Sequence, residues 1–190
     1  MISKLSKIIV LALSLSLLVL IGCTSEKEQK ESPQQGQQTT GSLSESEQFI
    51  GSQAPDFTLQ SLSGEKVILD QFDGKVVLLN FWGTWCPPCK KEIPTLTDMY
   101  SEHQDRGLEI VGVTLQSGPP EKIKSFVRKN FINYHVLTGE RENVAQVAQK
   151  YDNISSIPTT YVIDRNGIVQ HKWVGPRSKR EFMRVINKYL

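Results

Sequence analysis

Cys86 and Cys89 stand three positions apart in the stretch FWGTWCPPCKKEIP, residues 81–94, with Pro87 and Pro88 between them. Two thiols at that interval suit two chemistries: a small disulfide ring that opens and closes by exchange, or half of a zinc site. A structural zinc site needs four ligands. The chain holds no second such pair, only His103, His135 and His171 scattered far apart in sequence. Redox exchange without a metal is therefore the expected chemistry.

The elements that must position this pair can be read around it. Val76–Phe81 is an apolar run that reads as a strand, feeding through Gly83 and Thr84 into a helix that begins near Cys86. Cys86 is then placed like an N-cap, with Cys89 one turn inside on the same face. In the first turn a small adjustment brings the two sulfurs within bonding reach. Helix N-termini carry unpaired N–H groups and a positive dipole end, which lower a thiol's pKa below the free value of about 8.5. Cys86, at the exposed end, is the expected attacking thiol, and Cys89 the thiol that resolves the mixed disulfide.

The prolines fit this placement. Pro87 falls at the first helical position, where the missing N–H costs nothing and φ is already helical, and Pro88 is still in the first turn. Both delete donors that could face the Cys86 sulfur, leaving the Cys89 N–H as the nearest. We expect a milder depression of the Cys86 pKa, and a more reducing pair, than where a donor occupies the first of these positions. Alkylation rate against pH measures this directly. A Cys86 midpoint above about 5 is expected, and one in the lower range of strong oxidants would contradict the argument.

Further along the chain, Glu109–Thr114, Thr159–Ile163 and Ile168–Val174 read as strands, with His135–Leu137 and Val67–Leu69 as shorter candidates. Helical patterns cover Pro87 to about Gln104, Pro120–Lys129, Asn143–Lys150 and Lys179–Tyr189. Asn166-Gly167 between two strands signals a hairpin. Alternation of this kind, closed by antiparallel strands, predicts an α/β fold with a mixed central sheet flanked by helices on both faces, over residues 49–190.

The N-terminus is different. Lys4 and Lys7 precede an apolar run from Ile8 to Ile21, too short to span a bilayer comfortably, and residues 1–22 read as an export signal. The run ends in Leu20-Ile21-Gly22-Cys23, which resembles a bacterial lipobox. That resemblance implies cleavage before Cys23 and a lipid on its sulfur, anchoring the protein to the outer face of a bacterial membrane. An uncleaved anchor helix is the alternative. Residues 23–48 are polar apart from Leu43 among the aliphatics and read as a flexible tether, with a root-mean-square reach of roughly 25–30 Å. The formal charge of +2 falls to zero when Lys4 and Lys7 leave with the signal, and nothing points to nucleic acid.

Three motifs carry a family resemblance: APDFTL at Ala54–Leu59, VVLLNFWGTWCPPCKKEIP at Val76–Pro94, and IPTTYVID at Ile157–Asp164. From Phe49 to Leu190 the chain resembles the thioredoxin-like, membrane-tethered thiol-disulfide oxidoreductases of the TlpA/ResA type. The resemblance implies a thioredoxin-like fold, no cofactor beyond a redox-active Cys86–Cys89 disulfide, and a monomer. It implies a cis Ile157–Pro158 bond facing the cysteines, where the adjoining backbone takes a substrate strand. Trp85, Pro87 and Pro88 would share that groove, whereas Phe81 and Trp82 pack on the sheet. It further implies a glutamate near the site, Glu92, placed to exchange a proton with Cys89. An ion pair with Lys90 or Lys91 is the plain alternative for Glu92. Thioredoxins carry a buried aspartate six residues before the first cysteine. Asn80 occupies that position and cannot act as a base.

The expected activity is reduction of disulfides in exported proteins, with a membrane thiol carrier as electron donor and apocytochrome c as a client implied by the family. Two rivals stand beside it. A peroxiredoxin-like peroxidase also opens with APDFTL, but such chains place a threonine three residues before a lone cysteine, and Thr84 is two before Cys86. A copper chaperone would join the two thiolates to a histidine, for which His135 is the candidate.

Overall fold

The computed structural model describes residues 49–190; the export segment 1–22, Cys23 and the tether to residue 48 lie outside the described residues. The described chain forms seven strands, β1 (Thr58–Ser61), β2 (Lys66–Ile68), β3 (Val76–Trp82), β4 (Leu108–Thr114), β5 (His135–Thr138), β6 (Thr159–Ile163) and β7 (Val169–Val174). Four α-helices accompany them: α1 (Pro87–His103), α2 (Pro120–Lys129), α3 (Arg141–Lys150) and α4 (Lys179–Ile186). The strands make one sheet in the order β2-β1-β5-β4-β3-β6-β7. β3, β4 and β5 run parallel, and β1, β2, β6 and β7 join antiparallel. The sheet is mixed, as the alternation of elements predicts.

Every residue of β3 is buried, which is what a central strand covered on both faces requires. Its side chains alternate between two cores. Val76, Leu78 and Trp82 meet α1, α2 and α4 through Leu96, Ile123 and Phe182. Val77, Leu79 and Phe81 face the other way, onto Val144 and Val147 of α3 with Phe57 and Phe72. The packing role expected for Phe81 and Trp82 is met: they are 0% and 1% exposed. Trp82 needs Gly112 on the adjoining strand, because a Cβ there would stand 2.7 Å from the indole nitrogen.

Strand ends shift by one residue at several places, one strand escapes the sequence expectation, and two helices differ from it by two residues or more. β1 lies within TLQS, where Leu59 alone is buried, so the apolar signal of a strand is nearly absent. α3 begins two residues early, at Arg141, behind Glu140, which makes no side-chain cap. α4 stops at Ile186, although Tyr189 and Leu190 still pack against the core. The hairpin at Asn166-Gly167 forms as expected: the Asp164 carboxylate accepts from the N–H groups of Asn166 and Ile168, and Gly167 takes φ of 77°.

Register decides what meets at one edge. Trp82, the last residue of β3, pairs with Thr114, and Phe81 pairs with Thr159, the first residue of β6. The start of α1 and the Ile157–Pro158 bond are therefore neighbours at the carboxyl end of β3.

Candidate active site

α1 opens on Cys86, whose backbone is extended (φ −83°, ψ 110°) while Pro87 begins the helix. The Cys86 sulfur accepts the Cys89 N–H at 3.2 Å. Cysteine here does what serine or aspartate does at an ordinary N-cap, and with prolines in the two intervening positions the Cys89 amide is the first of the helix able to reach it. The two cysteines are joined in a disulfide with their Cα atoms 5.3 Å apart. Pro94 lies inside the same helix and cannot supply the amide proton that the Lys90 carbonyl would otherwise receive.

The N-cap position suggests an exposed Cys86 sulfur, and the oxidised structure shows otherwise: Cys86 and Cys89 are each 2% exposed. The closed ring is folded into the core that holds Trp82 and Ile93, with the Cys86 sulfur 3.7 Å from the Ile157 carbonyl oxygen. The Ile157–Pro158 peptide is cis, and the Pro158 carbonyl accepts the Gly175 N–H at 2.8 Å.

Trp85 is 54% exposed, and its indole N–H donates to the Leu115 carbonyl at 3.2 Å. Gly83 makes room for this: a Cβ there would lie 2.9 Å from the indole nitrogen and 3.2 Å from the Leu115 oxygen. One residue before Trp85, the Thr84 N–H donates to the Ser117 hydroxyl at 3.1 Å. The approach to the cysteines is thus pinned to the loop after β4. Pro87 is exposed and Pro88 partly so, while Ile157 is partly buried and Pro158 buried. Trp85, Pro87, Pro88, Ile157 and Pro158 all fall at the carboxyl edge of β3 with the disulfide.

Glu92 lies one turn beyond Cys89 and is 3% exposed. The surface ion pair with Lys90 or Lys91 does not form, because Glu92 points into the protein while both lysines stay exposed. One carboxylate oxygen accepts the Arg177 backbone N–H at 2.7 Å, and the other accepts the Asn80 amide at 3.3 Å. The same Asn80 nitrogen donates to the Thr160 hydroxyl at 2.9 Å. Burial raises the Glu92 pKa to about 7 from 4.5, against the lowering effects of the Arg177 N–H and charge and of Asn80. The Tyr134 hydroxyl, buried with no hydrogen-bond partner, has its pKa raised by burial and by the Glu92 charge. Asn80 cannot be a base itself; it helps to hold the Glu92 carboxyl.

Arg177, Thr160 and Tyr134 escape sequence reasoning, since each comes from an element distant along the chain. The one usable signal is alternation on β3, which puts Asn80 on the face of Val76, Leu78 and Trp82, toward α1.

His135 is not brought to the cysteines. It pairs in register with Val111, three residues down β4 from Thr114, or about 10 Å along the strand, and its ring lies 3.2 Å from Glu109 and 5.2 Å from Phe72. Among the described residues no group of three or more His, Cys, Asp or Glu side chains could hold a metal, and no helix is long and apolar enough to cross a membrane.

Comparison with known proteins agrees with this geometry. Residues 50–172 match the AhpC/TSA family. The chain is 38% identical over 133 residues to the thioredoxin-like protein YneN of Bacillus subtilis, covering 69% of this chain and 75% of that one. It is 35% identical over 135 residues to the thiol-disulfide oxidoreductase ResA of Geobacillus kaustophilus, covering 71% and 75%. A solved thiol:disulfide interchange protein of the thioredoxin family from Chlorobium tepidum superposes with a TM-score of 0.66 at 31% identity, over 73% of this chain and 96% of that one. The fold is thioredoxin-like, and the chain belongs to the AhpC/TSA family as one of its thioredoxin-like thiol-disulfide oxidoreductases.

Proposed function

We propose that this oxidoreductase works outside the cytoplasm, tethered to a bacterial membrane through a lipid on Cys23, and that it reduces disulfides in exported proteins. The observation that carries the proposal is the Cys86–Cys89 disulfide at the mouth of α1, beside the Ile157 carbonyl. In the reduced enzyme the Cys86 thiolate attacks one sulfur of a client disulfide. That bond breaks, the departing client sulfur takes a proton, and a mixed disulfide forms on Cys86. Cys89 then attacks the Cys86 sulfur, releasing the second client thiol. Two electrons pass to the client, and Cys86–Cys89 closes to the form seen here.

Glu92 supports the second step. It lies three residues from Cys89 on one helix face, and with a pKa near 7 it can accept the Cys89 proton at neutral pH. A dithiol carrier in the membrane must then reduce the closed pair. Apocytochrome c, which needs free thiols before haem attachment, is the client we favour. The polar 25-residue stretch from Thr24 to Gln48 gives the domain its reach from the surface.

Catalysis of insulin reduction by dithiothreitol tests the activity, and a redox titration of the cysteine couple against dithiothreitol tests the direction. A reducing potential near that of thioredoxin, about −270 mV, is expected; a value near −120 mV, typical of an oxidant, would reverse the assignment. For the anchor, radioactive palmitate is expected to label the parent and not Cys23→Ala, and the mature parent is expected to begin at Cys23. A parent that carries no label and keeps residues 1–22 would mean that those residues themselves are the anchor.

A further inference from the structure

Beside the active site, a crevice of about 830 Å³ opens at the carboxyl ends of β4 and β5. Its origin is topological. These neighbouring strands are parallel, yet β4 leads into α2 on one face of the sheet while β5 leads into α3 on the other. Where adjacent strands send their chains to opposite faces, a cleft is left outside their carboxyl ends, and ligands bind in such clefts in open α/β sheets.

The lining is a poor fit for the usual occupant, although Arg141 is part of it. Phosphates bind these clefts through free helix N–H groups, but α2 is entered through Pro119 and Pro120, which have none, and Glu140 stands at the start of α3. Instead the walls carry four exposed carboxamides, Gln60, Gln116, Gln149 and Asn153, above an aliphatic floor that includes Val144 and Ala148. A carboxamide donates and accepts at once. That is the complement of a peptide bond, and it reads no particular sequence.

Residues of the crevice are tied to the segments that carry the reacting centre. Leu115 and Ser117, in its wall, accept the hydrogen bonds that fix Trp85 and Thr84. On the opposite side, Asn153 and Ile154 lead within three residues to Ile157, whose carbonyl faces the Cys86 sulfur.

We infer that this crevice is a subsite for the client polypeptide, holding an extended segment that flanks the reacting cysteine by its main chain. The inference rests on the proposed exchange with polypeptide disulfides. It makes the enzyme prefer unfolded polypeptide disulfides over small ones, whatever the client sequence.

Ala145 lines the crevice and is exposed on α3, so Ala145→Arg fills the space at a position where the fold tolerates change. In the full-length protein this variant is expected to reduce insulin about tenfold more slowly, while its rate with bis(2-hydroxyethyl) disulfide is unchanged. S-carbamidomethylated insulin B chain, which has no disulfide to exchange, should bind the parent in a fluorescence anisotropy titration and bind Ala145→Arg several-fold more weakly. Equal slowing with both disulfides, no slowing with either, or equal binding of the blocked peptide would each overturn the subsite. A parent that binds the blocked peptide but reduces neither disulfide keeps the crevice and removes the exchange reading instead.

Discussion

Serine in place of Cys89 is expected to stop turnover and leave the client covalently attached to Cys86. With Cys89→Ser the first exchange still occurs, because the Cys86 thiolate keeps the Cys89-position N–H that it accepts at 3.2 Å and keeps the dipole end of α1. What is lost is the second nucleophile, one turn inside the helix, whose attack on the Cys86 sulfur releases the product. Turnover with insulin should fall by at least about three orders of magnitude. Non-reducing electrophoresis of Cys89→Ser incubated with oxidised insulin should show a dithiothreitol-sensitive adduct, with the mass assigning the link to Cys86. Cys86→Ser should be as inactive and form no adduct. The two cysteines are equally buried when bonded, so the assignment rests on position: Cys86 caps the helix, and Cys89 lies within its first turn. An adduct on Cys89 in Cys86→Ser, with none on Cys86 in Cys89→Ser, would exchange the two roles.

The difference between what local sequence reveals and what it hides is sharp in this protein. β6 spans Thr159–Ile163 and α2 spans Pro120–Lys129, both as read, because β-branched and aromatic runs or proline starts mark them within a few residues. The N-cap role of Cys86 is local in the same sense, set by a strand, a short turn and two prolines. The exposure of Cys86 is not: the Ile157 carbonyl that meets its sulfur lies 71 residues away. The setting of Glu92 is less local still. Asn80 reaches it across 12 residues, Arg177 across 85, and Asn80 is itself held by Thr160 across 80. Periodicity places Glu92 on the Cys89 face of a helix, but whether that face meets water or a cluster of donors depends on packing that no window of sequence contains. β1 is hidden for a related reason, since its four residues are held by β2 and β5 and only Leu59 of them faces a core.

Glutamine at position 92 separates the enzyme's need for a proton acceptor from its need for a stable core, because the two respond in opposite directions. The parent carboxyl titrates near 7 in the folded protein, against 4.5 ordinarily, with burial the dominant cause. Between those two values the folded state holds a proton that the unfolded chain has released, so stability falls as pH rises through that interval and is level above it. The full effect corresponds to on the order of 3 kcal/mol. Glu92→Gln removes the titrating group while keeping an oxygen for the Arg177 N–H, so its denaturation midpoint should not vary across that interval from this site. Below pH about 4.5 the two proteins should be similarly stable, and at pH 8 the variant should be the more stable. Catalysis runs the other way. The parent gains its acceptor as Glu92 ionises, so the exchange rate should climb through pH 7; in the variant the climb is displaced toward the thiol's own range, near 8.5, and the rate at pH 7 drops about a hundredfold. Urea midpoints and insulin-reduction rates, each followed from pH 4 to 9, measure both effects on the same two proteins. A variant as fast as the parent at pH 7 would remove Glu92 from the exchange and leave it a buried charge that the fold bears for some other reason.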